Sequence, residues 1–187
     1  MDIANPRDLS DTLEIQSALE AFAARLAARR GISSAQRALL RQYVAAMEEI
    51  AVAFGTLSTD FLRQYVELSR RFHLLVFELA QCSILQRHLA EDFISQFAFV
   101  DLRATTQARV DALRNFMLFE QHQHRSLIEA IVQQNSARAE ALAQEHARFN
   151  QKFLTLWNDG MRTIAWAHAP RASDLSQSQR EMPPLAE

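Results

Sequence analysis

Six histidines are the residues of this 187-residue sequence best suited to chemistry. No two of them form an HExxH pair or lie four residues apart, so a metal site would have to be assembled from different helices. Those predicted on inward helix faces are His73, His124 and His146. Three neutral imidazoles suit zinc, nickel, copper or iron and leave coordination positions open. A lone buried histidine is more often a hydrogen-bonded core residue, so only their convergence would make a site.

The other three histidines are expected to lie outside such a site. His88 follows a Gln-Arg pair and is predicted to be on the surface. His122 is two residues from His124, which places it about 200° around a helix, so the two rings cannot point at one centre. His168 is close to a polar C-terminal segment and is expected to be solvated.

Other catalytic and targeting signals are missing from the sequence. It contains no GxSxG elbow and no Walker motif. Its one cysteine, Cys82, cannot form an internal disulfide, which indicates a reducing compartment. The first residues have neither a basic nor an apolar signal region, and there is no apolar run of roughly 18 residues. We therefore expect a cytoplasmic protein without a membrane partner.

The composition predicts an all-α fold. The chain has 3 Gly and 4 Pro, with no proline between residues 7 and 169. It therefore lacks the tight turns of β-sandwiches and the glycine clusters of nucleotide-binding loops. The net charge of −2 argues against general binding to nucleic acid. We expect a linker over residues 1–9, a helical bundle over residues 10–169 and a loose tail over residues 170–187.

Apolar residues at helical spacing divide the bundle into six or seven antiparallel helices. A long region over residues 105–132 is expected to break into two helices near residues 117–120. The expected helix ends are an N-cap at Asp8 or Ser10, a stop at Gly31, an N-cap at Ser33 or Ser34, a stop at Gly55, an N-cap at Ser58 or Thr59, a start near Ser83 and an N-cap at Asn135 or Ser136.

Four segments carry a resemblance to a known family. They are residues 13–28 of the first helix, Ser69–His73, Gln123–Ile131 and the alanine-rich Ala139–His146. In this order and spacing they resemble the FCD domain, the C-terminal effector-binding domain of FadR-type regulators in the GntR family. The resemblance extends over about residues 8–158.

The resemblance implies a buried metal centre with a changed ligand set. In the metal-binding members of the family, one aspartate and three histidines hold a divalent metal, and the histidines correspond to His73, His124 and His146. The aspartate position holds Ser69, which is a poor replacement ligand. A metal on three histidines (zinc, nickel or iron) would keep its full positive charge and favour an anionic ligand. Alternatively, the site binds metal weakly or not at all, or the cavity holds another ligand.

Further residues are expected near the ligand. The resemblance places Gln16 where the opening helix usually has an arginine, and Ser83 where an asparagine usually follows the third helix. Together with Ser69, these departures allow a ligand that differs from the usual small carboxylate. Glu20, on the predicted inner face of the first helix, is the best candidate for a general base.

Two functions fit the sequence. In the favoured one, a homodimeric module binds a small organic acid and passes a shape change to a DNA-binding partner domain. DNA would be bound only through a winged helix-turn-helix domain, and no recognition helix is visible here. In the alternative, a stand-alone metal-dependent enzyme acts on a small anionic substrate and binds no DNA. The sequence names neither the effector nor the metal.

Overall fold

A computed structural model describes residues 6–54, 59–89 and 106–159, and these residues form six α-helices and no strand. The helices are α1 (Pro6–Arg30), α2 (Ser34–Ala53), α3 (Thr59–Leu79), α4 (Ser83–Leu89), α5 (Gln107–Val132) and α6 (Ser136–Asp159). The predicted all-α bundle is confirmed. α1 packs against α3, α5 and α6, while α5 also packs against α2 and α6. The site described below therefore lies where α1, α3, α5 and α6 meet.

The two ends of α1 are set by a proline and a glycine. The helix begins at Pro6, about a turn earlier than the expected caps at Asp8 or Ser10, because proline lacks the amide hydrogen that a first helical residue leaves unpaired. Gly31 ends the helix, as predicted, with a left-handed φ of 76° that suits glycine. Its amide donates to the carbonyl of Ala27 at 3.0 Å.

Side-chain caps begin α2 and α6 where the sequence predicts them. The Ser33 hydroxyl accepts from the amide of Gln36 at 3.2 Å, and the Gln36 side chain accepts from the Ser33 amide at 2.8 Å. This reciprocal pair satisfies two amides that the first turn of α2 leaves unpaired. The Asn135 side-chain oxygen accepts from the amide of Arg138 at 3.1 Å and caps α6 in the same way.

The expected break of the fifth region near residues 117–120 is wrong, because α5 runs without interruption from Gln107 to Val132. No glycine or proline interrupts it. Met117, Glu120, Gln121 and His124 are all buried and follow one another at intervals of one, three or four residues. They form one stripe on the helix, and its polar members pair with each other and with side chains of neighbouring helices.

The core is built from small residues on α1 and larger ones on the helices around it. Because alanine side chains are small, neighbouring helices can approach α1 closely. The buried alanines of α1 are Ala21, Ala23, Ala24, Ala27 and Ala28. Large buried side chains of the other helices include Met47, Tyr65, Phe72, Leu113 and Ile131. Among the described helices, none combines the length and the apolar character needed to cross a membrane.

Some expectations fall outside the described residues. They are the stop at Gly55, the alternative cap at Ser58, any continuation of the fourth helix beyond Leu89, the last helix beyond Asp159, the position of His168, and the tail over residues 170–187. The side chain of His88, on α4, is also outside the described set.

Candidate metal centre

The fold brings together the three histidines that the sequence singles out. His73 comes from α3, His124 from α5 and His146 from α6, and one ring nitrogen of each lies within 4.8 Å of the other two. The ring centroids of His124 and His146 are 4.6 Å apart, and each is 5.3 Å from that of His73. All three are buried, with His124 at 0% exposure. Such a group can serve as a set of ligands for one metal ion.

Each histidine is held through Nδ1 by the oxygen of another side chain. The Nδ1 atoms of His124 and His146 lie 3.2 Å and 3.0 Å from the amide oxygens of Gln121 and Gln123. An amide oxygen only accepts, so these ring nitrogens donate and carry the proton. The Nε2 atoms then carry the lone pair that a metal would need, and in the protein without metal that of His146 accepts from the Asn150 side-chain amide at 3.1 Å.

His73 is held by a carboxylate instead of an amide. Its Nδ1 lies 3.1 Å from Oε2 of Glu20 on α1, and both side chains are largely buried. The same carboxylate accepts a hydrogen bond of 2.9 Å from Gln16, one turn earlier on α1. A carboxylate on the outer nitrogen of a metal-binding imidazole fixes the ring and raises its basicity.

The amide of Gln121 has a defined orientation. Its Nε2 donates to the Met117 carbonyl at 3.2 Å, which can only accept. The amide oxygen is therefore the atom that faces His124. The second ring nitrogen of His124, Nε2, is buried and has no hydrogen-bond partner among the described residues. A buried nitrogen of this kind costs on the order of 1–3 kcal/mol unless a ligand engages it, so the residues present fit a metal ion.

The electrostatics of the cluster keep two of the rings neutral. Burial lowers the pKa of His124 well below 6.5, and the neighbouring His146 and His73 lower it further. Burial and His73 lower the pKa of His146 to about 3, against a smaller opposing effect of Glu20. Since a metal binds only the neutral imidazole, both rings are in the binding form at neutral pH.

His73 and Glu20 form the charged part of the cluster. Burial alone would lower the pKa of His73, but the charge and hydrogen bond of Glu20 outweigh burial and raise it above 6.5. Burial alone would raise the pKa of Glu20, but His73 and the hydrogen bond from Gln16 bring it below 4.5. Each side chain therefore favours the charged form of the other, and the two form a buried ion pair when His73 is protonated.

The other predicted residues differ in where they lie. Ser69 is buried one turn before His73 on α3, and Gln16 and Glu20 line the same region from α1. Ser83, the first residue of α4, is exposed, so its predicted place at the ligand has no support from its burial. His122 is exposed on α5, as its spacing from the site histidine predicts.

A buried carboxylate that sequence reasoning missed also lies at the site. Glu120 on α5 is 0% exposed, and its Oε1 is 3.7 Å from Nε2 of His146. Its Oε2 accepts from the Tyr65 hydroxyl at 2.6 Å, and its Oε1 accepts from Asn150 at 2.9 Å. Burial raises its pKa to about 7, although the hydrogen bond from Tyr65 opposes that rise. The usable signal was position, since Glu120 precedes His124 by one helical turn.

Comparison with known proteins gives one family match. The family model described as the FCD domain matches residues 11–149. That range contains the three histidines and both buried carboxylates of the site. No curated protein matches the chain.

Proposed function

Since the chain belongs to the FCD-domain family, we propose that it is an effector-binding domain of a GntR-type regulator and senses a small organic acid at a divalent metal. His73, His124 and His146 would hold the metal. The observation that carries the proposal is the shared arrangement of the three rings, each held through Nδ1 by a neighbouring side-chain oxygen. Histidines that only fill a core would not require three ring nitrogens directed at one point.

Zinc, nickel or iron suits a site of three imidazoles. The metal, when bound, would supply positive charge and open coordination positions for a carboxylate oxygen of the effector. The protein would supply polar groups around it, including Ser69, one turn before His73 on α3, and Gln16, one turn before Glu20 on α1. An effector held in this way would touch both α1 and α3, which pack against each other.

The proposed signal is a change in how these helices pack. Sensing requires that the effector bind more tightly to one arrangement of the domain than to another. We propose that the bundle of residues 10–169 works as a homodimer and passes the change to a DNA-binding domain. Because α1 contacts α3, α5 and α6, a change in the positions of these helices at the site would also change the packing of α1.

The enzyme alternative loses the support of its candidate base, because the surroundings of Glu20 do not suit that role. That side chain was the candidate general base, but it is held by Gln16 and by His73, and its pKa is lowered. A carboxylate with a lowered pKa is a weak base at neutral pH. A binding function makes no demand on its basicity.

Thermal unfolding tests the sensing proposal. Protein with zinc is melted in the presence of a panel of short mono- and dicarboxylic acids, and the melts are repeated after chelation. An effector at about 100 times its Kd should stabilise the protein by about 2.7 kcal/mol. For a chain of this size that corresponds to a rise of roughly 5–10 °C in Tm. No rise with any acid, or an equal rise after chelation, would contradict the proposal.

A matched pair of variants separates metal-dependent binding from other binding. His124→Ala removes a proposed ligand, whereas His122→Ala removes an exposed histidine of the same helix. The acid that stabilises the wild type should stabilise the His122→Ala protein equally and should leave the His124→Ala protein unchanged. Equal stabilisation of both variants would mean that the acid binds elsewhere.

A further inference from the structure

The three histidines supply no negative charge to offset that of a divalent ion. A carboxylate ligand would supply it, so the question is which residue could provide one. The position where the resemblance expects an aspartate holds Ser69. Two buried carboxylates lie close to the cluster instead, those of Glu20 and Glu120. The two carboxylates contact different ring nitrogens of different histidines, and their roles follow from that difference.

Glu20 lies on the outer side of its histidine. It contacts Nδ1 of His73, the nitrogen that would face away from a metal bound to Nε2. Glu120 lies on the inner side of His146, whose Nδ1 is already engaged by Gln123. The Oε1 atom of Glu120 is 3.7 Å from Nε2 of His146, which is the nitrogen left for the metal.

The lone pairs of those two atoms face one point, because the side-chain amide nitrogen of Asn150 donates to both, at 2.9 Å to Oε1 and 3.1 Å to Nε2. At 3.7 Å the oxygen and the nitrogen are too far apart to form a hydrogen bond with each other. Two donor atoms that bind one metal at about 2.0–2.2 Å each lie about 3–3.6 Å apart in tetrahedral or octahedral geometry. An ion that took the place of the Asn150 amide group would therefore meet both the carboxylate oxygen and the ring nitrogen.

A chain of hydrogen bonds aligns Glu120 with a second histidine. The Tyr65 hydroxyl donates to Oε2 of Glu120 at 2.6 Å, which leaves Oε1 on the side of the cluster. Gln121 donates to the Tyr65 oxygen at 2.6 Å, and its own oxygen accepts from Nδ1 of His124. One connected network thus positions an oxygen donor and a nitrogen donor together, as outer partners of metal ligands do.

We propose that Glu120 is the fourth protein ligand of the metal and takes the place of the carboxylate that Ser69 no longer provides. This inference rests on the metal site proposed above. The ligand set then consists of three imidazoles and one carboxylate, with the carboxylate contributed by α5 instead of α3. Glu20 is a positioning residue that orients His73 from outside.

Cobalt(II) is the probe for the test, because its visible absorption reports which atoms bind it. Wild-type, Glu120→Gln, Glu20→Gln and His124→Ala proteins are titrated with cobalt(II) at neutral pH. The Glu120→Gln protein should bind at least about tenfold more weakly, with an altered absorption spectrum. The Glu20→Gln protein should also bind more weakly but should keep the wild-type spectrum, because its ligand atoms are unchanged.

The outcomes separate this inference from the function on which it rests. A Glu120→Gln protein with wild-type affinity and spectrum would overturn the fourth ligand while leaving the three-histidine site intact. A wild-type protein that binds no cobalt, or a His124→Ala protein that binds as tightly as wild type, would overturn both.

A second measurement does not depend on the folding of the Glu120 variant. Glutamine is close in shape to glutamate, and its side-chain oxygen can keep the hydrogen bond that Glu120 accepts from Asn150. Independently, the Glu20→Gln protein retains Glu120 as the buried carboxylate beside His146. Zinc should shift a carboxylate band in its infrared difference spectrum, and the absence of a shift would refute ligation by Glu120.

Discussion

Replacement of Glu120 with glutamine should change how the stability of the metal-free protein depends on pH. The carboxyl is fully buried and its pKa is raised from 4.5 to about 7, chiefly by burial. The folded protein therefore holds this proton more tightly than the unfolded chain does. The stability it contributes is present below the unfolded pKa of 4.5 and is lost as the pH rises through about 7.

The size of the effect follows from the two pKa values. The difference between 4.5 and about 7 corresponds to about 3 kcal/mol, at about 1.4 kcal/mol for each tenfold change in the dissociation constant. Glutamine cannot ionise, so the stability of the Glu120→Gln protein lacks this pH-dependent contribution. The unfolding free energy of wild type minus that of Glu120→Gln should therefore fall by about 3 kcal/mol between pH about 4.5 and pH about 8. Groups that do not interact with Glu120 titrate alike in both proteins and cancel in the difference, whereas the pKa of His73, which the charge of Glu120 helps to raise, is lower in the variant.

The assay is guanidinium chloride unfolding in the presence of a chelator, followed by circular dichroism at several pH values. The chelator matters because a metal bound only to the folded state would add its own stability. Glu49→Gln, which makes the same substitution at an exposed carboxylate on α2, is the matched control. A constant difference for Glu120→Gln, or one that grows with pH, would refute the reasoning about its burial.

Three further predictions concern the metal and the fold. Gln121→Leu removes the acceptor for Nδ1 of His124 and should weaken zinc binding by about 10- to 100-fold in a competition titration. An unchanged Kd would contradict the role of Gln121 in orienting His124. Zinc affinity, measured by calorimetric titration at several pH values, should fall as the pH is lowered from about 7 to about 5. The proton competes with the metal first at His73, because the pKa of that residue is raised. An affinity that does not change with pH would contradict this prediction. Gly31→Ala should destabilise the fold by about 1–2 kcal/mol in denaturant unfolding, because φ is 76° and the added carbon would lie 2.8 Å from the Gln134 side chain, and an unchanged midpoint would argue against that strain.

The fold was predictable because the spacing of the apolar residues and the positions of the helix-capping and helix-ending residues indicate the same helices. Gly31 ends α1 and Ser33 and Asn135 cap the helices that follow, each for a reason that depends on neighbours in the chain. The continuity of α5 was not predictable in the same way. Glu120 and Gln121 look like an interruption of an apolar stripe until their partners on other helices are known.

The site was predictable only in part, for a related reason. The histidines could be found because they lie on apolar faces, and Glu120 could have been found because it lies one turn from His124. The outer partners could not. Gln123 meets His146 across two helices, and such a contact depends on how α5 and α6 are rotated against each other. Nothing in the types of these two residues fixes that rotation.

Zinc content measured by equilibrium dialysis and elemental analysis tests the three-histidine metal centre most directly. Wild-type and His122→Ala proteins should each retain about one zinc ion per chain at neutral pH, and His124→Ala should retain far less. If wild type and His124→Ala carry equally little zinc, nickel and iron after dialysis against each, then His73, His124 and His146 do not form a metal site.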